Sequence, residues 1–171
     1  MQPCLIVYYS RSGMTAKAAT ALARACGADV ERIRDVQPRT GMLGFLRSGY
    51  EALRGKTPAI DTRAHDPANY ALTILGTPVW VGHVASPLRT YLVKHRQRLN
   101  RVAVFCTMGG SGAEEALADI AALCGKQPAA TLALTERQIR DGQHEAMLAA
   151  FARRLVSEGA MAPPAQQPAE V

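Results

Sequence analysis

Three stretches of this sequence hold residues whose types and order could do chemistry. The first is Ser10-Arg11-Ser12-Gly13-Met14-Thr15. It follows the apolar run Cys4 to Tyr9 and precedes the Ala-rich segment Ala16 to Ala25. That order reads as a strand, a tight loop and a helix start. Such a loop suits an anion, because the first N–H groups of a helix lack internal partners and the helix dipole adds positive charge there. The hydroxyls of Ser10, Ser12 and Thr15 can donate further hydrogen bonds, and Gly13 lets the backbone come close to a bound group. Arg11 either adds charge or points into solvent. The plainer alternative is that Ser12 only caps the helix and Gly13 only turns the chain. The second stretch is Thr77-Pro78-Val79-Trp80-Val81-Gly82, and the third is Thr107-Met108-Gly109-Gly110-Ser111-Gly112. Both follow apolar, strand-like runs.

The elements that must position these loops follow from hydrophobic pattern. Ala28 to Ile33 alternates and reads as a second strand after a helix closed by Gly27. Residues 42 to 54 read as a helix, with Met42, Leu43, Leu46, Tyr50 and Leu53 at helical spacing and Arg47, Glu51 and Arg54 elsewhere. Tyr50 is expected in the core or at its edge. Residues 56 to 69 read as a polar loop broken by Pro58 and Pro67. Tyr70 to Gly76 is a nearly continuous apolar strand of the kind buried in a parallel sheet. A helix from about Ser86 to Arg96 follows, with Ser86 as its cap and Pro87 in its first position. Val102 to Cys106 and Ala130 to Leu134 are the fourth and fifth strands. Leu117, Ile120, Ala121 and Leu123 mark the helix between them. The last helix follows Asp141-Gly142 and carries Met147, Leu148, Phe151 and Leu155. Alternation of strand and helix five times predicts an α/β fold: one doubly wound, five-stranded parallel sheet, spanning residues 1–159. Residues 160–171, rich in Ala, Pro and Gln, are expected to be a disordered tail. The crevice of such a sheet lies at the carboxyl ends of its strands, where all three loops would meet.

Ser-x-Ser-Gly-x-Thr after the first strand resembles the phosphate loop of the flavodoxin family, and Thr77 to Gly82 and Thr107 to Gly112 resemble its two ring-contacting loops. The resemblance covers residues 4 to about 158 and implies the strand order 2-1-3-4-5 for the sheet. It implies that FMN is the cofactor, with its phosphate held by Ser10, Arg11, Ser12, Gly13, Met14 and Thr15. The ring system would lie against Thr77, Pro78, Val79, Trp80, Val81 and Gly82 on one loop and Thr107, Met108, Gly109 and Gly110 on the other. Trp80 would line or stack on the isoalloxazine; the alternative is a core tryptophan at a strand end. Many flavodoxins carry an aromatic residue in the third loop and carboxylates around the ring. Here Met108, Gly109 and Gly110 stand in the aromatic position, and His83 follows Gly82. An open ring face and a neutral or cationic surround are expected to favour the reduced, anionic flavin. The implied activity is electron transfer, or NAD(P)H-dependent reduction of a quinone or similar small acceptor. The implied partners are a redox protein, or NAD(P)H with that acceptor. His83 itself is expected to be a solvent-facing loop residue, with a proton donor as the alternative.

Competing readings are weaker. Gly109-Gly110-Ser111-Gly112-Ala113 approaches a hydrolase nucleophile elbow, with Asp141 and His144 downstream, but those two lie only three apart. Gly49 to Thr57 approaches a triphosphate loop, yet its glycine spacing is one residue too long and it follows a helix. A flavin-free binding or regulatory module on the same fold is the main alternative. The 171 residues and 48% hydrophobic content suit one globular domain. The chain carries a formal charge of +6. Its cluster Lys94-His95-Arg96-Gln97-Arg98 reads as a solvated helix end, without the interleaved aromatics of a nucleic-acid surface. No run approaches the ~20 apolar residues of a membrane span. Neither nucleic acid nor membrane is expected as a partner. The N-terminus shows no signal-peptide pattern, and a cytoplasmic protein is expected. Cys4, Cys26, Cys106 and Cys124 are widely spaced, which suggests buried free thiols and no metal site.

Overall fold

The computed structural model describes residues 4–62 and 65–161. The apolar run at the N-terminus forms β1 (Cys4–Tyr9) and leads into α1 (Met14–Cys26). Then come β2 (Asp29–Asp35), α2 (Gly41–Leu53) and the two-residue β3 (Ile60–Asp61). The centre of the chain builds β4 (Leu72–Trp80), β5 (His83–Val84) and α3 (Ser86–His95). The remainder is β6 (Arg101–Met108), α4 (Ala113–Cys124), β7 (Thr131–Thr135), α5 (Glu136–Arg140) and α6 (His144–Ser157).

The five long strands pair in parallel in the order β2-β1-β4-β6-β7, the expected 2-1-3-4-5. Two short antiparallel strands extend the sheet: β3 lies on the free edge of β2, and β5 folds back on the end of β4. Side chains alternate across the pleat. Cys4, Ile6 and Tyr8 therefore join Leu22, Ile74, Phe105, Leu148, Phe151 and Leu155 under α1 and α6. Leu5, Val7 and Tyr9 join Leu75, Leu88, Tyr91, Leu92, Val104 and Ile120 under α3 and α4. Gly76 sits mid-strand because a Cβ there would lie 2.3 Å from Cζ of Phe105 and 2.9 Å from Cβ of Tyr8. The four cysteines are free and buried.

Several expectations need correction. Ser86 is not a cap: Ala85 holds that place, and the Ser86 hydroxyl is buried inside the first turn. A short helix, α5, stands between the fifth strand and the last helix, and Thr135 and Gln138 form a reciprocal capping box at its start. Ala160 and Met161 belong to the core rather than to a tail; the rest of the expected tail, 162–171, lies outside the described residues. The largest correction concerns α2. Its buried residues are Gly44, Ser48 and Ala52, while Met42, Leu43, Leu46, Tyr50 and Leu53 face outward. The cause is close packing. A Cβ on Gly44 would fall 2.3 Å from the Arg39 carbonyl carbon, so only the small-residue side of the helix fits against the body. Its neighbour Ser48 spends its hydroxyl on the Gly44 carbonyl, 2.7 Å away.

Candidate functional site

Parallel register brings the three loops together. Tyr8 of β1 lies beside Gly76 of β4, and Pro78 of β4 lies beside Thr107 of β6. The carboxyl ends of the three central strands therefore share one edge, and the loops that follow rise from it.

In the first loop Ser10 is buried and its Oγ accepts the Gly13 N–H at 3.1 Å. Gly13, at φ 93°, occupies the cap position that Ser12 could have taken, and no side chain caps α1. The first intrahelical bond of α1 is Lys17 N–H to Gly13 O. The N–H groups of Met14, Thr15 and Ala16 thus have no partner inside the helix. The first turn holds no acidic residue that would oppose an anion. Arg11 is exposed but not without partners. Its guanidinium donates to the carbonyls of Arg39 and Gly41, each at 3.4 Å, and lies over the Phe45 ring. Thr15 turns inward: its hydroxyl shares a 2.8 Å hydrogen bond with that of Thr107, in the buried interior. Two hydroxyls from opposite loops thereby tie the first loop to the third.

The second stretch is not an open loop. Strand β4 continues to Trp80, turns through Val81 and Gly82, and returns as β5, with Trp80 opposite His83. Val81 and Gly82 both have positive φ, 51° and 79°, as a two-residue hairpin requires. Val81 is the one non-glycine residue with positive φ among the described residues, and a β-branched side chain there is strained. Thr77 is buried and braces the hairpin, donating to the Pro78 carbonyl and accepting from the Ala85 N–H. In the third loop, Gly112 meets the hairpin. A Cβ there would sit 2.9 Å from Cα of Gly82. Met108 is half-buried, and Gly109 and Gly110 are exposed.

Trp80 is half-buried and meets Tyr9 edge to face, with ring centroids 5.4 Å apart. The Arg39 guanidinium lies 5.4 Å from its ring centroid. Arg39 is only 6% exposed. It donates from Nε to Asp35 at 2.7 Å and from Nη2 to Glu51 at 2.6 Å. Asp35 also accepts from the Tyr9 hydroxyl, and Glu51 from Arg47. Burial alone would push the Glu51 carboxyl up, but hydrogen bonds from Arg47 and Arg39 outweigh it and hold the group below its usual range. Burial pushes the Tyr9 phenol up, and its bond to Asp35 pushes it further. A buried cation with two carboxylates thus underpins the tryptophan. Sequence reading missed it because Arg39 stood in a stretch read only as a chain break. Its partners lie four and twelve residues away on two different elements.

His83 is not a loose loop residue either. It lies on β5, and its Nδ1 is 2.9 Å from Asp119 of α4, which also accepts from Arg89 at 3.2 Å. The hydrolase triad does not assemble. Asp141 pairs with Arg137, and the buried Nδ1 of His144 has no hydrogen-bond partner. The near-match to a triphosphate loop begins inside α2, so no cradle forms. Among the described residues no cluster of three or more His, Cys, Asp or Glu could hold a metal, and no helix is long and apolar enough to cross a membrane.

Fold and site together define a doubly wound α/β protein whose carboxyl-edge loops are gathered around an uncapped helix N-terminus and a half-buried tryptophan. The family model for flavodoxin matches residues 3–142, and the chain belongs to the flavodoxin family. Among solved structures it is similar to a Lactobacillus acidophilus flavoprotein in complex with FMN. The identity is 22% and the TM-score 0.70, over 82% of this chain and 98% of that one. It is also similar to oxidised flavodoxin 2 of Bacillus cereus, at 17% identity and TM-score 0.58, over 91% and 99% of the two chains. A Fusobacterium nucleatum flavodoxin bound to flavin mononucleotide matches at 11% identity and TM-score 0.58, over 92% and 99%. No curated protein matches the sequence closely enough to count as a relative.

Proposed function

We propose that the chain binds FMN at its three gathered loops and works as a redox flavoprotein. It either passes electrons to a partner protein or uses NAD(P)H to reduce a quinone or a similar small acceptor. The observation that carries this reading is the start of α1, where Gly13 stands at the cap without a side-chain bond and the N–H groups of Met14, Thr15 and Ala16 have no partner inside the helix. The unpartnered N–H groups at the start of α1 would hold the phosphate, with Ser12 and Met14 beside them. The hairpin from Thr77 to Gly82 would present backbone groups to the ring, with Trp80 beneath. Thr107, Met108, Gly109 and Gly110 would bound the other side. Bound FMN supplies both one-electron and two-electron chemistry.

The chain's own residues bias that chemistry. Arg39 lies beside Trp80 with its charge answered by Asp35 and Glu51, and the small residues of the third loop leave one side of the cleft open to a nicotinamide or a quinone. Carboxylates engaged in this way oppose an anionic reduced cofactor less than free carboxylates around the ring would, so the potential should lie above that of a site lined with free carboxylates. With Nδ1 of His83 turned to Asp119, Nε2 is the ring nitrogen left to exchange a proton with an acceptor. Calorimetric titration tests the reading. FMN should bind at least a hundredfold more tightly than riboflavin, which lacks the phosphate. Absence of heat with FMN would overturn it. A strongly negative potential for the second electron, measured by spectral titration, would overturn the charge argument alone.

A further inference from the structure

The outward face of α2 is unusual for a helix of a globular domain. Met42, Leu43, Phe45, Leu46, Tyr50 and Leu53 are each 56–82% exposed, and so are Val36 and Val81 beside them. At the helical repeat the six α2 residues fall within an arc of roughly 160°. Val81 continues the patch past Gly49, whose Cβ would lie 3.3 Å from a Val81 methyl. Single exposed hydrophobic residues are ordinary; a contiguous set of this size marks a surface that something covers.

Charge identifies what covers it. Between Val36 and Lys56 the one carboxylate is Glu51. It is 12% exposed, turned inward and engaged by Arg39 and Arg47. The borders of the apolar arc carry cations. Arg11 lies over Phe45, Arg54 lies over Tyr50, and Arg47 follows Leu46. The whole chain is at +6. A second copy is a poor occupant, because apposing two such faces would set arginines against arginines with no carboxylate of the patch to answer them. A helix with an apolar crest, aromatic residues and a rim on which Arg11 and Arg54 have no carboxylate of α2 to answer them has the chemistry of an interfacial segment.

We propose that α2 is a membrane-surface helix, which seats its apolar crest among the headgroups of an anionic bilayer with its arginines on the lipid phosphates. This is a contact with a membrane surface, and it needs no segment that crosses one. It would set the hairpin tip at Val81, and so the proposed cofactor cleft, beside the bilayer, where lipid-soluble acceptors reside. The surface contact does not depend on FMN, so its test and that of the cofactor are separate.

The test is flotation of the full chain with equimolar phosphatidylglycerol–phosphatidylcholine vesicles and with pure phosphatidylcholine vesicles. At least tenfold more protein should float with the anionic vesicles. Leu43→Gln with Leu46→Gln should remove at least nine-tenths of that binding at unchanged circular dichroism. Val93→Gln, which changes an exposed valine of α3, should leave it intact. Failure to bind anionic vesicles overturns the proposal. Binding that survives in the double variant also overturns it, because general charge attraction would then suffice. So does a wild-type dimer, by sedimentation velocity, that the double variant makes monomeric. Retention on a polyglutamate surface without vesicle binding would assign the face to an acidic polypeptide instead.

Discussion

Replacing Arg39 by Met removes the guanidinium and keeps most of the side-chain volume, so it asks what the buried charge itself contributes. Asp35 and Glu51 have side chains only 11% and 12% exposed, and each loses a bond of 2.6–2.7 Å. Removing one partner of a buried ion pair costs about 3–5 kcal/mol, because the other charge stays buried without compensation. Asp35 keeps the Tyr9 hydroxyl and Glu51 keeps Arg47, which places the cost at the lower end, about 3 kcal/mol. For a domain of this size that lowers Tm by about 6–12 °C. The pH dependence has a definite sign. The Glu51 carboxyl is held below its ordinary value of 4.5. Its contribution is therefore fully present above that value and is lost as pH falls through the lower folded value. The gap between wild type and variant should be widest near neutrality and narrow in acid. Trp80 is the sole tryptophan and Arg39 lies over it, so intrinsic emission reports the same change optically. Thermal melts followed by fluorescence at neutral and at acid pH measure both. An unshifted emission with a melting point within about 2 °C of wild type would refute the claim that this cation organises the tryptophan. An equal deficit at both pH values would refute the ion-pair account of the loss.

Three further outcomes follow from the packing. Thr107→Val strands the Thr15 hydroxyl and should cost about 1–3 kcal/mol, whereas Thr15→Val with Thr107→Val should recover most of it; denaturant melts of the cycle show whether the bond ties the two loops. Gly76→Ala drives a methyl into Phe105 and the Tyr8 Cβ, with an expected loss of about 1–3 kcal/mol by the same melts, and Phe105→Leu in that background should restore part of it. Burial pushes the Cys4 thiol up to about 12 and those of Cys26, Cys106 and Cys124 up to about 11. A disulfide reagent at mildly alkaline pH should therefore meet no fast-reacting thiol in the folded chain and four in denaturant.

What the sequence disclosed and what it hid divide along range. The loop after β1, the alternation of strand and helix and the buried thiols follow from local pattern, so they were legible; the strand order came with the family resemblance. The capping box at Thr135 is a local signal of the same kind, Thr-x-x-Gln. The Val81-Gly82 turn was concealed by its chemistry, since valine is a poor advertisement for positive φ. Periodicity identified an apolar stripe on α2, but periodicity names a face without saying what it faces. Gly44 and Ser48 were the only local hint that the small side went inward. Arg39 left no local trace, because its role exists only after β2, α2 and β4 have met.

The residue types that first drew attention to the loops turn out to serve them in an unexpected manner. Ser10, Thr15, Thr77 and Thr107 look like ligand hydroxyls in the sequence, yet all four are buried and bonded to the loops themselves. What remains at the loops, apart from the exposed Ser12, is largely backbone: the N–H groups opening α1, the hairpin edge and the glycines of the third loop. A ligand bound there would be held by geometry that many side chains could support; solved structures of 11–22% identity share the fold. Specificity must then come from the few side chains that the bracing leaves free or fixes in place. Those are Trp80 over its buried arginine, Met108 at the open side, and His83 held by Asp119. Substitutions at these three should alter potential and acceptor choice while leaving the fold intact, whereas substitutions at the four hydroxyls should disturb the loops before they disturb the chemistry.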